Sequence, residues 1–129
     1  MQQNKDQLQQ QSHQPQQQSQ SKQQQPTVKL TLDTLHLEHN MIEFIPTAAF
    51  QNFDIVNVTY LDGNPLTILG DEAFRPARIR ELYIRYCNLH HVSPLTFEGL
   101  GSSLQILDLS GNNISSLPEN VFHNFDMFR

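Results

Sequence analysis

The stretch that decides the fold is 104–122, LQILDLSGNNISSLPENVF, whose apolar spacing fits neither a helix nor a strand alone. A helix would place apolar residues every three or four positions, and a strand would place them at every second position. Leu107 and Leu109 alternate as in a strand, whereas the apolar residues that follow Asn112 are more widely spaced. The spacing predicts one short strand that turns at an asparagine and returns along an irregular path.

The same frame of seven apolar positions recurs three times upstream. Its members lie eight, five and three residues before an anchor residue, and two, five, ten and thirteen residues after it. The anchors are 24, 23 and 25 residues apart, and they are Asn40, Asn64, Cys87 and Asn112. Thr59 and Ala77 are the weaker matches to the frame. Because a unit of this size cannot bury its apolar side alone, we expect about four units to stack as turns of a solenoid.

Two of the units carry a recognisable motif. LDTLHLEHNMI at 32–42 and LQILDLSGNNI at 104–114 fit the pattern LxxLxLxxNxL, and by this pattern residues 28–129 resemble the leucine-rich repeat family. The resemblance implies an α/β-type solenoid: a leucine-rich repeat arc with a short parallel sheet on its concave side and irregular, 3-10 or helical segments on its convex side. We also expect a ladder of inward asparagines, with Cys87 in the same slot, and a spine of phenylalanines at 50, 74, 97 and 122.

Composition divides the chain into two regions. Residues 1–26 contain 14 glutamines and almost nothing apolar, so we predict a disordered tail that cannot bury enough surface to fold. Residues 27–129 hold the repeats, and we expect them to be truncated at the C-terminus because Phe128 takes the first slot of a fifth repeat. Twelve acidic residues outnumber six basic ones in the repeats, which argues against nucleic acid as a partner.

The sequence contains no apolar run long enough for a secretory signal and no run of eighteen apolar residues. Taken alone, these features predict a soluble cytosolic chain. However, the repeats have neither the polar caps nor the cysteine clusters that close complete solenoids, so we expect this chain to be part of a longer protein. The missing signals therefore do not fix its compartment.

A second resemblance extends to positions outside the frame. FRPARIRELYIRYCNL at 74–89, NVTYLDGNP at 57–65 and SLQILDLSGNNI at 103–114 are similar to an insect family of leucine-rich cell-surface proteins of photoreceptor cells. The resemblance implies homophilic cell adhesion, with a lipid anchor in segments missing from this chain. It also implies a protein partner, including a second copy on an opposing cell, and a location on the extracellular side of the plasma membrane.

The repeats contain no constellation that is typical of an enzyme. The histidines at 36, 39, 90, 91 and 123 do not converge as a zinc site requires. No nucleophile elbow or phosphate-binding loop occurs, because Gly63 and Gly111 precede anchor asparagines and are interpreted as turn residues. We therefore predict no catalytic activity, no metal and no cofactor.

Two further features concern single side chains. Cys87 is the only cysteine, and its inward slot predicts a buried, inert thiol. The triplets that begin at Asn57 and Asn113 are glycosylation sequons, and they predict modification at these residues if the chain is secreted.

Protein binding is the function that this architecture favours. Residues that flank the second strand leucine of each unit alternate outward onto the concave sheet. We predict a binding face formed by His36, Glu38, Tyr60, Asp62, Tyr83, Arg85 and Asp108, with Ser110 at its end and His39 and Tyr86 just beyond. Tyrosine and arginine are enriched where interfaces concentrate energy. The alternative is an ordinary solvated sheet on which Arg85 pairs with its neighbours.

Two functions are consistent with these patterns. The first is a module of an extracellular adhesion protein that binds another protein through the solenoid surface. The second is an intracellular leucine-rich scaffold with a glutamine-rich arm. A longer transcript separates them, because an upstream signal and further downstream repeats would favour the first, whereas a true start at Met1 and a stop after Arg129 would favour the second.

Overall fold

The computed structural model describes residues 28–125, so the predicted tail and Phe128 lie outside the described part of the chain. Six strands occur within it: β1 (Leu30–His36), β2 (Phe44–Ile45), β3 (Phe53–Tyr60), β4 (Ile68–Leu69), β5 (Arg78–Tyr83) and β6 (Ile106–Asp108). Strands β1, β3, β5 and β6 form one parallel sheet in that order, and β2 and β4 form a second, two-stranded parallel sheet. Each turn of the chain therefore adds the next strand, as the repeat spacing predicts for a solenoid.

The register of the larger sheet follows the repeat frame. His36 is paired with Tyr60, Tyr60 with Tyr83, and Tyr83 with Asp108. Each of these residues lies four positions before an anchor. Neighbouring strands of a sheet are about 4.8 Å apart, so equivalent residues of successive turns form straight rows across the sheet.

The inward positions of the frame form the core. In the middle turns their side chains have no exposed surface, and these residues include Val56, Leu61, Ile79, Leu82 and Ile84. The equivalent side chains of the first and last turns are only partly buried, and these are Leu32, Leu35, Leu37, Leu107 and Leu109. Burial is greatest in the middle because only there does a turn cover each layer on both sides.

Asn64 joins the first two turns through their backbones. Its Oδ1 accepts hydrogen bonds from the N–H groups of Asn40 and Ile42 at 2.8 and 3.1 Å, and its Nδ2 donates to the carbonyl of Leu37 at 2.8 Å. The side-chain amide of Asn40 donates to the carbonyl of Glu38 in its own turn at 3.0 Å. One buried amide thus satisfies three backbone groups of a neighbouring turn.

Asn112 makes the equivalent bonds to the third turn. Its Oδ1 accepts from the N–H groups of Cys87 and Leu89, and its Nδ2 donates to the carbonyl of Ile84. In the same slot, the Cys87 thiol donates to the carbonyl of Leu61 at 3.2 Å. The thiol is 1% exposed, which confirms the predicted burial, and burial raises its pKa. The Cys87 thiol therefore takes the place of the amide donor of asparagine, but it has no amide oxygen to accept the two backbone hydrogen bonds.

The convex side was expected to hold irregular, 3-10 or helical segments; within residues 28–125 its segments are irregular, and the helical alternative is not found. The N–H of Ala49 donates to the carbonyl of Pro46, and that of Gln51 donates to the carbonyl of Ala48, so in this turn the short-range bonds do not form a continuous helical series. Ala48 and Glu72 have φ angles of 58° and 53°. A residue in this left-handed region ends a right-handed helical path, and the convex side is therefore a series of separate turns.

The phenylalanine spine is confirmed. Ring centroids are 5.1 Å apart for Phe50 and Phe74, 6.2 Å for Phe74 and Phe97, and 6.3 Å for Phe97 and Phe122. Aromatic pairs at such distances stabilise a core beyond the surface that they bury. The rings connect the convex parts of successive turns, as the asparagines connect the concave parts.

Ile84→Ala is expected to lower the free energy of unfolding by about 2–5 kcal/mol, because it leaves a cavity between two covered layers. Leu117→Ala is the matched control, since Leu117 occupies a frame position in the last turn but is 43% exposed. Urea unfolding of both variants measures the difference. Equal losses would contradict a core centred on the middle turns.

Candidate protein-binding surface

Two rows of outward side chains cross the concave sheet near the ends of its strands. The aromatic row, four positions before the anchors, consists of His36, Tyr60, Tyr83 and Asp108. The ionic row, two positions before the anchors, consists of Glu38, Asp62, Arg85 and Ser110. Together they form the concave patch, which brings all the binding residues predicted from the sequence onto one surface.

The rings of the aromatic row stack on one another. The centroids of His36 and Tyr60 are 5.1 Å apart with planes 8° from parallel, and those of Tyr60 and Tyr83 are 5.0 Å apart at 15°. At the first strand, His36 Nδ1 lies 2.7 Å from Glu38 Oε1, and this hydrogen bond lowers the pKa of the Glu38 carboxyl. Each ring is therefore held by a neighbour.

Arg85 links the ionic row to the aromatic row. Its guanidinium carbon lies 4.9 Å from the centroid of the Tyr83 ring, within the range of a cation–π contact. Its Nη2 and Nε donate to the Asp62 carboxylate at 2.8 and 3.2 Å, and its backbone N–H donates to the same carboxylate at 2.8 Å. These bonds raise the pKa of Arg85. The pairing of Arg85 with a neighbouring carboxylate, which was expected if the sheet were an ordinary solvated surface, is therefore present. The pair lies within the patch.

Three more hydrogen bonds fix the charged groups around this centre. The Tyr83 hydroxyl donates to Glu81 Oε2 at 2.9 Å, and this bond raises the pKa of the Tyr83 phenol. The Ser110 hydroxyl and backbone N–H donate to Asp108, and these bonds lower the pKa of its carboxyl. Arg85 Nη1 lies 3.9 Å from Asp108 Oδ2. At neutral pH the patch holds one guanidinium among several carboxylates.

Two rings just beyond the rows rest on glycines of the next turn. His39 and Tyr86 have φ angles of 55° and 57°, and the glycines at the same frame position, Gly63 and Gly111, have 69° and 73°. A Cβ on Gly63 would lie 2.2 Å from His39 Nδ1, and one on Gly111 would lie 2.3 Å from a Tyr86 ring carbon. The sequence indicated glycine turns. It also has an aromatic ring at this frame position in one turn and a glycine in the next, and this alternation is the signal from which the packing could have been predicted.

The two sequon asparagines lie outside the concave patch. Asn57 Nδ2, on β3, donates to Asp33 Oδ1 at 3.0 Å. Asn113 Nδ2 follows the last anchor and donates to Asn88 Oδ1 at 2.6 Å. Both side chains thus bridge two turns at the surface of the solenoid.

Residues 28–125 contain no group of three His, Cys, Asp or Glu side chains that is arranged to hold a metal ion. The same range has no helix with the length and apolar character needed to cross a membrane.

Comparisons with known proteins agree with the repeat pattern. A family model described as leucine rich repeat matches residues 77–128. Chaoptin of Drosophila melanogaster is 55% identical over 103 residues, which are 80% of this chain and 8% of chaoptin. Fibromodulin of Sus scrofa is 29% identical over 92 residues, which are 71% of this chain and 60% of fibromodulin. These matches confirm both resemblances inferred from the sequence.

A third relative, leucine-rich repeat-containing protein 3B of Homo sapiens, is 35% identical over 66 residues, which are 50% of this chain and 26% of that protein. The chain therefore spans less than two thirds of the length of each of these three relatives. No solved structure matches the chain.

Asp62→Ala is expected to destabilise the fold more than Asp54→Ala. The Asp62 side chain is 14% exposed and accepts both side-chain and backbone bonds from Arg85. Asp54 pairs with Arg78 between side chains that are 46% and 59% exposed, and pairs of this kind contribute about 0–1 kcal/mol. Denaturant unfolding of the two variants compares the losses. If the losses are equal, the Arg85–Asp62 pair is no more than a surface contact.

Proposed function

We propose that this chain, whose leucine-rich repeats are similar to those of chaoptin, is a protein-binding module of a cell-surface protein that acts in homophilic adhesion. The observation that carries the proposal is the stack of His36, Tyr60 and Tyr83, with Arg85 against the last ring. Tyrosine and arginine supply most of the energy at many protein interfaces. The concave patch is the contact surface in this proposal.

The patch is suited to binding because its side chains are already ordered. Association costs free energy for each side chain that must be immobilised, and side chains that are held in place beforehand reduce that cost. The Tyr60 ring is stacked on both sides, and the Arg85 guanidinium is fixed by Asp62. A partner therefore meets a rigid aromatic surface with a charged group in a defined position.

The charges of the patch also favour a second copy as the partner. A two-fold interface places the same surface on both sides, so each charged group must meet its complement elsewhere on that surface. Arg85 follows the third strand of the stack, and Glu38 follows the first. If the two-fold axis runs parallel to the strands, the order of the strands is reversed across the contact, and the Glu38 carboxylate of one copy faces the Arg85 guanidinium of the other.

The cell-surface setting rests on the similarity to chaoptin. Identity of 55% over 103 residues is well above the 29% and 35% found for two other leucine-rich repeat relatives. The similarity thus extends to positions that the repeat frame leaves free, and it favours adhesion over an intracellular scaffold with a glutamine-rich arm. This chain spans 8% of the length of chaoptin.

The test is aggregation of cells that display the full 129-residue chain through an added signal and anchor. Arg85→Glu is expected to reduce aggregation by roughly tenfold or more, since loss of an interface anchor costs about 2 kcal/mol or more. It also places a carboxylate against Asp62. Surface levels and thermal melting of the displayed protein are measured alongside, so that loss of folding is recognised.

Arg75→Glu is the matched control, because it makes the same change of charge on the convex side. Arg75 is 55% exposed and pairs with Glu72 in its own turn. Aggregation of this variant should equal that of the wild type. An equal loss in both variants, or no loss in either, would exclude the concave patch as the adhesive surface.

A further inference from the structure

Thr59 is an exception within the core. It fills the frame position that Leu35, Leu82 and Leu107 occupy in the other turns, and it has no exposed surface. Its Oγ1 is the one buried side-chain oxygen or nitrogen among residues 28–125 that has no hydrogen-bond partner. A hydroxyl in this position needs an explanation, since buried polar groups of native proteins are almost always paired.

The fold itself does not use this hydroxyl. Burial of an unpaired hydroxyl is unfavourable because its hydrogen bonds to water are lost and none replaces them. Valine has nearly the same shape as threonine and no such group. Leucine fits the equivalent position in three sister turns. Stability alone therefore favours an aliphatic residue at position 59.

The hydroxyl does have a chemical role before folding. Thr59 is the third residue of the sequon Asn57-Val58-Thr59, and N-glycosylation requires a hydroxyl-bearing residue at that place. The transfer acts on an extended chain, in which the Thr59 hydroxyl is still accessible. We propose that Asn57 carries an N-linked glycan, and that Thr59 is retained in the core as its sequon residue. The inference rests on the cell-surface location in the proposed function.

The folded chain has room for a sugar at Asn57. The Asn57 Nδ2 donates one hydrogen bond, to Asp33 Oδ1 at 3.0 Å. A glycosylated amide nitrogen keeps one N–H, so a donor to Asp33 remains after modification. Asn57 also lines an open surface cleft of about 260 Å³, together with Arg78, Arg80 and Gln105. Guanidinium and amide groups are suitable donors for the hydroxyl groups of a sugar.

The attachment point at Asn57 is separate from the concave patch. Asn57 lies three residues before Tyr60 on β3, which is about 10 Å along the strand. Asn57 is thus in the middle of β3, and the stacked rings lie at the ends of their strands.

The test expresses the full chain, with an added secretory signal, in insect cells and follows its mobility on a denaturing gel before and after endoglycosidase treatment. The wild type should lose the mass of a glycan. Asn57→Gln and Thr59→Val should both remove one glycan, whereas Thr59→Ser should keep it. No difference between Asn57→Gln and the wild type would overturn the proposal. Because the signal is supplied, this outcome is independent of whether the chain mediates adhesion.

A second measurement tests the premise about Thr59 with unglycosylated protein from bacteria. Thr59→Val should raise the unfolding temperature relative to the wild type, since it removes the unpaired hydroxyl without changing the shape of the core. A lower unfolding temperature would mean that the hydroxyl has a structural partner, and the inference would then lose its basis.

Discussion

The fold depends on hydrogen bonds that an inward-facing side-chain amide makes to the backbone of the preceding turn. At the inner bend of each turn the chain leaves the sheet, so some of its N–H and C=O groups have no backbone partner. Asn64 and Asn112 pair these groups with both ends of one amide. Because an unpaired buried backbone group costs about 1–3 kcal/mol, this constraint fixes the position of each turn against the next.

The candidate binding surface is a consequence of the same constraint. Once the turns are held in register, residues at one frame position form a row, and the chemistry of the row follows from the sequence of four separate turns. Tyr60 stacks on Tyr83 and Arg85 reaches Asp62 because each pair is separated by 23 residues, which is one turn. The candidate binding surface and the core thus lie on different faces of the same strands.

Much of this arrangement is predictable from the sequence, because apolar spacing and anchor residues specify the rows. The frame identified the core positions, the phenylalanine spine and the burial of Cys87, and alternation along a strand identified the concave residues. The conformation of the convex side could not be predicted, because Ala48 and Glu72 adopt left-handed φ angles although neither is a glycine, the residue that would indicate such a conformation. The bonds of Arg85 depend on side-chain geometry, and the unpaired hydroxyl of Thr59 is visible only when the atoms around it are known.

The most direct test of the central claim is amide hydrogen exchange in an Asn112→Ala variant, with Asn113→Ala as the neighbouring control. The N–H groups of Cys87 and Leu89 lose their acceptor in the first variant only. We predict that their protection falls by roughly tenfold or more, since an unpaired buried donor costs about 1–3 kcal/mol and about 1.4 kcal/mol is a factor of ten. Unchanged protection at Cys87 and Leu89 would contradict the role of the side-chain amides in holding the turns together.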